Sequence, residues 1–199
     1  MEVRKSYGIV VLAAGNSSRL GEPKQLLQYQ DKSLIQHVVE VAIEAIHSPV
    51  IVVTGSNSDL IANELNGYTI HSIYNIDWQE GMASSIRSGL KKLIELHEPV
   101  QGVVFLVSDQ PFVTTQLILN LIDKAESSQK GIIASSYDNI VGTPVLFNQK
   151  YFDSLFELTG SEGAKKLLKR FKNDAASVPF PLGGVDIDTQ DDYRKLLKK

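Results

Sequence analysis

The sequence predicts an α/β protein, a three-layer α/β/α sandwich around a mostly parallel, Rossmann-like sheet. Two observations carry this. Short β-branched runs alternate with longer stretches whose apolar residues recur at helical spacing, and Tyr7–Ala13 (YGIVVLA) is almost continuously apolar. A strand with one face in water alternates apolar and polar residues, whereas a continuous run belongs to a strand covered on both faces. Helices on both sides of a parallel sheet, joined by right-handed crossovers, satisfy that pattern.

The elements follow in order. After the first strand, Ser33 opens a helix, with Gln36 at capping-box spacing. Leu34, Ile35, Val38, Val39, Ala42, Ile43 and Ile46 form its apolar stripe. Val50–Thr54 is the second strand, ended by Gly55. Asp59–Leu65 predicts a short helix and Thr69–Tyr74 a third strand. Met82–Leu96 predicts a helix with Ile86, Leu90, Leu93 and Ile94 on one face. Val103–Val107 is the fourth strand, Thr115–Ala125 a helix and Ile132–Ser135 the fifth strand. Beyond Ser136 the rhythm changes. Val145–Phe147 predicts a short strand, and Tyr151–Leu158 and Glu162–Phe171 predict helices. Ser177–Pro179 and Val185–Asp188 read as extended, and Thr189–Leu197 as a closing helix. No repeat or Pro/Gly-rich linker divides the chain, so a single domain over residues 1–199 is expected.

Composition narrows the function. The 199 residues are 43% hydrophobic and 22% charged, as in an ordinary globular chain. Lys and Arg total 20 against 23 Asp and Glu, a net charge of −3, which lacks the basic excess of a nucleic-acid binder. The absence of cysteine removes thiolate metal sites, disulfides and thiol catalysis. No apolar run approaches the roughly 18–20 residues of a membrane helix. The charged start Met1–Ser6 is not followed by a signal-peptide core. A cytoplasmic protein acting on neither nucleic acid nor membrane is expected. His37, His47, His71 and His97 share no ligand spacing and read as structural.

Ligands of open α/β sheets bind beyond the carboxyl ends of the strands. The first such loop runs from Ala13 to Lys24 and combines small residues, Gly15, Gly21 and the cations Arg19 and Lys24. Small residues admit a ligand close to the backbone, and successive N–H groups can cradle an anion. Arg19 can grip phosphate oxygens bidentately and Lys24 can act as a point charge, a pairing suited to a triphosphate. Neither the P-loop nor the dinucleotide fingerprint fits, because five residues separate Gly15 from Gly21 and Glu22 follows. Two acidic elements complement this loop. Asp109 follows the fourth strand and would face the same crevice, where Mg²⁺ takes one or two carboxylates plus phosphate oxygens. In the stretch 186–192, Asp186 and Asp188 would share one face of an extended segment and one metal. The same stretch also reads as an N-cap cluster for the last helix.

Taken whole, Leu12-Ala13-Ala14-Gly15-x-Ser17-x-Arg19-x-Gly21-x-x-Lys24 resembles the signature loop of nucleotidyltransferases with the glycosyltransferase-A-like (nucleotide-diphospho-sugar transferase) fold. Within them it is most similar to the molybdenum cofactor nucleotidyltransferases. The resemblance implies transfer of a nucleoside monophosphate from an NTP to a phosphorylated acceptor, with Mg²⁺ and release of pyrophosphate. It makes residues 1 to about 135 the nucleotide half and 136–199 the acceptor half. Ser108-Asp109-Gln110-Pro111 resembles the family's Asp-Met-Pro or Asp-Gln-Pro metal element, and the segment 186–192 its Asp-Ile-Asp-Thr-Pro-Glu-Asp close, with Gln190 in place of Pro and Asp191 in place of Glu. The resemblance thus implies Leu12, Ala13, Ala14, Gly15, Ser17, Arg19 and Lys24 on the nucleotide. It implies Asp109 and Asp186 on the metal, with Asp188 close behind, and catalysis through Arg19, Lys24 and Asp109.

The segment 75–85 resembles an element lying along base and ribose, in which Gly81 lets the backbone approach and Ser85 meets the base edge. Gly142-Thr143-Pro144 resembles an acceptor-side Gly-His-Pro, with Thr143 replacing His, and 160–168 resembles a further acceptor stretch in which Lys165 or Lys166 meets a phosphate. Ala13-Ala14-Gly15 matches the cytidylyl rather than the guanylyl branch, since the Ala14 methyl narrows the space beside the base. The expectation is CMP transfer from CTP to molybdopterin, with transient docking to a molybdenum hydroxylase such as xanthine dehydrogenase. The alternatives are GTP, a sugar or alcohol phosphate acceptor, and a non-catalytic cofactor-binding accessory protein.

Overall fold

The computed structural model describes residues 6–16, 22–46, 48–96, 99–185, 187 and 189–197. β1 (Tyr7–Ala13) leads to a small antiparallel pair, β2 (Gln28–Tyr29) and β3 (Lys32–Ser33), and then to α1 (Leu34–Ala45). β4 (Val50–Thr54), α2 (Ser58–Glu64), β5 (His71–Tyr74), α3 (Met82–Leu96), β6 (Gly102–Val107) and α4 (Thr115–Ser128) continue the alternation. The remainder comprises β7 (Ile132–Tyr137), β8 (Ile140–Asn148), α5 (Phe152–Phe156), α6 (Ala164–Arg170), β9 (Ala175–Pro179) and α7 (Gln190–Leu196).

Seven strands form one sheet in the order β5-β4-β1-β6-β8-β7-β9. β8 is antiparallel to both its neighbours, and the other pairings are parallel. The predicted mostly parallel sheet with helices on both faces is the observed one. β1 shows why its sequence is continuously apolar. Ile9 and Val11 pack with α1 and α4 on one face, and Val10 and Leu12 pack with α3 on the other. α3 comes close because Gly89 carries no side chain; a Cβ there would lie 2.4 Å from a Val10 methyl. A third, smaller cluster joins Leu27, Tyr29 and Leu34 to Ile187 and Leu196, so α7 closes over the β2–β3 pair. Tyr193 Oη donates to Gln28 O at 2.8 Å across that contact.

Strand and helix ends were legible where caps or glycines mark them. Gln36 accepts from the Ser33 N–H at 2.9 Å, as the capping box requires. The differences have local causes. β8 covers nine residues rather than Val145–Phe147, because it absorbs Pro144 in a bulge. Val145 pairs with Ala134 and Gly142 with Ser135, so Thr143 and Pro144 fall outside the ladder register with β7, and Pro144 O accepts from Ser135 Oγ at 2.8 Å instead. β7 runs on to Tyr137 because Asp138 and Asn139 both take positive φ and close a tight hairpin without glycine. α6 starts at Ala164 rather than Glu162, whose carboxylate instead accepts from the Thr159 N–H at 3.0 Å. The third strand begins at His71, and the predicted helix over 151–158 is a 3₁₀ turn followed by α5. Val185 is not in a strand, and Asp186 and Asp188 lie outside the described residues. Among the described residues no helix is long and apolar enough to cross a membrane.

Phe105 on β6 is 1% exposed and packs edge-on against Phe147 of β8, with ring centroids 6.3 Å apart. Phe105→Ala is expected to cost about 3–5 kcal/mol in urea unfolding. Ile140→Ala, at a position 47% exposed, should stay within about 0.5 kcal/mol.

Candidate functional site

Strand order reverses between β1 and β6, since the chain winds from β1 outward to β4 and β5 on one side and to β6 on the other. Crossovers on opposite sides leave the loops after these two strands apart, opening a crevice. A cleft of about 560 Å³ occupies that place. Leu12, Ala14, Gly15 and Asn16 line it from the β1 end, Val107, Ser108 and Asp109 from the β6 end, and Trp78, Gln79, Gly81, Met82 and Ser85 from the turn entering α3. Lys24 and Gln25 complete it. Lys24 Nζ stands 3.8 Å from Asp109 Oδ2, and both side chains are partly exposed to the cleft. A cation and a carboxylate at that distance can between them meet phosphate oxygens and a hard divalent cation.

The β1 loop is held from below. Gln25, 4% exposed, donates through Nε2 to Ala13 O at 3.2 Å and Gly15 O at 3.0 Å. Ala14 rests on Gly55, where a Cβ would lie 2.5 Å from Ala14 O and 2.9 Å from Trp78 Cβ. The β5–α3 turn is organised by buried Asn75. Its Nδ2 donates to Ser84 Oγ at 2.8 Å and Ser85 Oγ at 3.1 Å, and its Oδ1 accepts from the Asp77 N–H at 3.1 Å. Ser85, expected at a base edge, lines the cleft with its oxygen engaged by Asn75. Gly81 lines the cleft as expected, but its own close approach is to another part of the chain. It has φ +122°, and a Cβ there would lie 2.5 Å from Gly160 O.

Gly160 thereby joins the later half of the chain to the turn entering α3. Its carbonyl accepts from the Ala83 N–H at 3.1 Å, and its N–H donates to Glu80 Oε1 at 3.3 Å. Arg87 ties Glu80 (2.6 Å) to the Leu158 carbonyl. Arg87 and the Gly160 N–H hold the Glu80 carboxyl below the ordinary glutamate value. Lys166, 2.5 Å from Glu162, does the same for that residue, helped by the Thr159 N–H. Lys166 is thus engaged by Glu162, just ahead of α6. Lys165 is exposed and runs beside β8, its Cε 3.8 Å from where a Gly142 Cβ would lie. The four residues expected on the acceptor side, Gly142, Thr143, Pro144 and Lys165, therefore fall on β8 and the helix beside it. Ser17, Arg19, Asp186 and Asp188 lie outside the described residues, although Ile187 is fully buried against Leu34. Among the described residues no three His, Asp or Glu side chains converge as a metal cage.

The profile of the MobA-like NTP transferase domain matches residues 9–176. The chain belongs to that family. Rv0371c of Mycobacterium tuberculosis H37Rv superposes on this MobA-like chain with a TM-score of 0.83 and 28% identity, covering 98% of each. The same protein is known as a manganese complex, at a TM-score of 0.81. The bifunctional protein GlmU of Francisella tularensis subsp. novicida is 28% identical over 166 residues, 82% of this chain. The MobA-like chain spans about a third (35%) of that relative's length. Molybdopterin-guanine dinucleotide biosynthesis protein A of Archaeoglobus fulgidus shares the fold at 18% identity and a TM-score of 0.70.

Several residues of this MobA-like site carry no sequence signal. Gln25 is one position past the predicted Lys24 but belongs to no motif, and its use is set by a short 3₁₀ turn over 24–26. Glu80 precedes α3 and Arg87 lies within it, and the pair declares itself only through Gly160. Because both carboxyls at this junction are lowered, their contribution is complete above the ordinary glutamate value, about pH 4.3. It is lost as pH falls through their lowered values. NMR titration of the Ala83 and Gly160 amides should therefore be flat from neutral pH down through the ordinary glutamate range and move only below it. Glu80→Gln should shift both amides already at neutral pH. A wild-type transition centred at or above the ordinary glutamate value would contradict the tie.

Proposed function

We propose that this chain is a divalent-metal-dependent nucleotidyltransferase that moves CMP from CTP to the terminal phosphate of molybdopterin, releasing pyrophosphate, in the maturation of a molybdenum hydroxylase. The observation that carries the reading is the convergence of Asp109, Lys24 and the Ala14–Gly15 turn on one cleft at the switch point of the sheet. Membership of the MobA-like NTP transferase family supports the reaction class.

The donor set suits Mg²⁺. That ion accepts one or two carboxylates, several waters and substrate phosphate oxygens, so no dedicated protein cage is needed. Asp109 would hold it, with Asp186 or Asp188 as second carboxylate on the strength of the sequence resemblance. When bound, the ion would neutralise charge developing on the phosphates. The rest follows from the chain's own groups. An acceptor phosphate oxygen attacks the α-phosphorus of CTP in line, the bond from that phosphorus to the bridging oxygen breaks, and pyrophosphate leaves. Lys24, assisted by Arg19 and Ser17, receives the charge of the leaving group, and the loop backbone held by Gln25 stays in place while it forms. Such catalysis is positioning and electrostatics without a covalent enzyme intermediate. Ala14, seated against Gly55 and Trp78, limits the room beside the base, which is the argument for cytosine. That the similar Rv0371c is known as a complex with manganese supports a divalent cation for this chain.

Pyrophosphate release in the presence of Mg²⁺ and molybdopterin, compared for CTP, GTP, ATP and UTP, tests the reading. Release is expected with CTP, falling about 100- to 1,000-fold in Asp109→Ala. A preference for GTP would overturn the Ala14 argument alone. Release only with a sugar or alcohol phosphate would overturn the acceptor. CTP binding without release from any of these would sink the transferase reading in favour of a cofactor-binding accessory protein.

A further inference from the structure

We propose that Gln110 is a positioning residue, whose single side-chain amide fixes the turn bearing Asp109 against both the strand presenting Thr143 and the turn leading to Val185. The proposal rests on the nucleotidyltransferase reading of Asp109 and adds a residue which that reading does not use.

Gln110 is 6% exposed. Its Nε2 donates to Thr143 O at 3.2 Å and to Gly183 O at 3.2 Å, carbonyls 33 and 73 residues further along the chain. Both amide hydrogens are thus committed to separate segments. Among the described residues its Oε1 is buried without a partner. An unpaired buried acceptor costs free energy, and an apolar side chain of similar volume would avoid that cost. Space filling therefore does not account for a glutamine here, whereas placing two donors does.

The carbonyls it reaches are the ones the sheet leaves over. Thr143 lies in the bulge of β8, outside the pairings with β7, and the β6–β8 register also ends before it, at Phe105 with Val145. Gly183 is wedged between aromatic rings, where a Cβ would lie 2.5 Å from both Phe180 and Tyr137. Its N–H donates to Phe180 O at 2.8 Å. The turn is thus held by rings on one side and by Gln110 on the other. At its own end Gln110 directly follows Asp109 and precedes Pro111, whose ring fixes the backbone. Reorienting Asp109 means moving Gln110 and breaking both bonds. The metal carboxylate, the acceptor strand and the entry to the closing segment are consequently set relative to one another by one amide.

Gln110→Leu and Gln110→Glu test this, the second keeping the shape while replacing both donors by acceptors. Thermal unfolding and CTP affinity serve as controls, because Gln110 does not line the cleft. Both variants are expected to bind CTP within about threefold of wild type, to lose about ten- to hundredfold in kcat, and to need more Mg²⁺ for half-activation. An unchanged kcat and Mg²⁺ midpoint in a folded variant would overturn the proposal. So would a loss matched by equal losses of CTP affinity and melting temperature, which is the signature of packing. A second readout does not depend on turnover. Amide exchange over residues 181–185 should slow when CTP and Mn²⁺ bind the wild type, and should not slow in Gln110→Glu. No slowing in the wild type overturns the coupling even if neither variant folds. Slowing in a wild type that releases no pyrophosphate would sink the nucleotidyltransferase reading and leave the tie standing.

Discussion

Everything in this molecule is referred to β1. It is buried on both faces and paired on both edges, so neither its register nor its direction has slack. A one-residue slip would exchange Ile9 and Val11 for Val10 and Leu12 against the helices and undo both halves of the core. That rigidity is delivered at its carboxyl end. Ala13 is the last strand residue, and the chain turns into the cleft at Ala14, with Gln25 holding the carbonyls on either side. A loop of small residues is ordinarily soft. Here it is bounded by a strand buried on both faces and by a buried amide.

Among the described residues the cleft sets one cation against one carboxylate. Lys24 and Asp109 face each other at 3.8 Å while partly open to water, a geometry in which an ion pair is worth little and is readily exchanged for other partners. A metal on one group and phosphate oxygens on the other would replace that contact with stronger ones at small cost. The Glu80–Arg87 tie differs in kind. It holds two stretches of backbone together through Gly160 and Leu158, and so works as a joint between segments.

Much of this could be read from residue order. The continuous apolar run at Tyr7–Ala13, the Ser33–Gln36 cap and the helical stripe over Met82–Leu96 follow from local periodicity and placed those elements at their observed bounds. The loop after β1 and Asp109 were singled out by their place at strand ends and by the family resemblance, and Leu12, Ala14, Gly15, Lys24 and Asp109 all line the cleft. The missed parts depend on long-range contacts. A proline in mid-strand looks like a stop, and only the bulge opposite Ala134 and Ser135 makes β8 nine residues long. Gln25, Glu80, Arg87 and Gln110 are ordinary surface-type residues whose use is set by partners far along the chain. Glu80 and Gln110 stand inside recognised segments, but nothing in those segments announces these contacts.

The third cluster, in which Leu27, Tyr29 and Leu34 meet Ile187 and Leu196, has a temporal meaning. Chains are made from the amino end, and domains tend to assemble in that order. β1, α1 and β4 can pair early, but the hairpin immediately after Lys24 stays uncovered until α7 has been made, more than 150 residues later. The apolar residues that follow Lys24 and Gln25 are thus made well before the residues that cover them. During that interval Leu27 and Tyr29 lack the cover that Ile187 and Leu196 later give them.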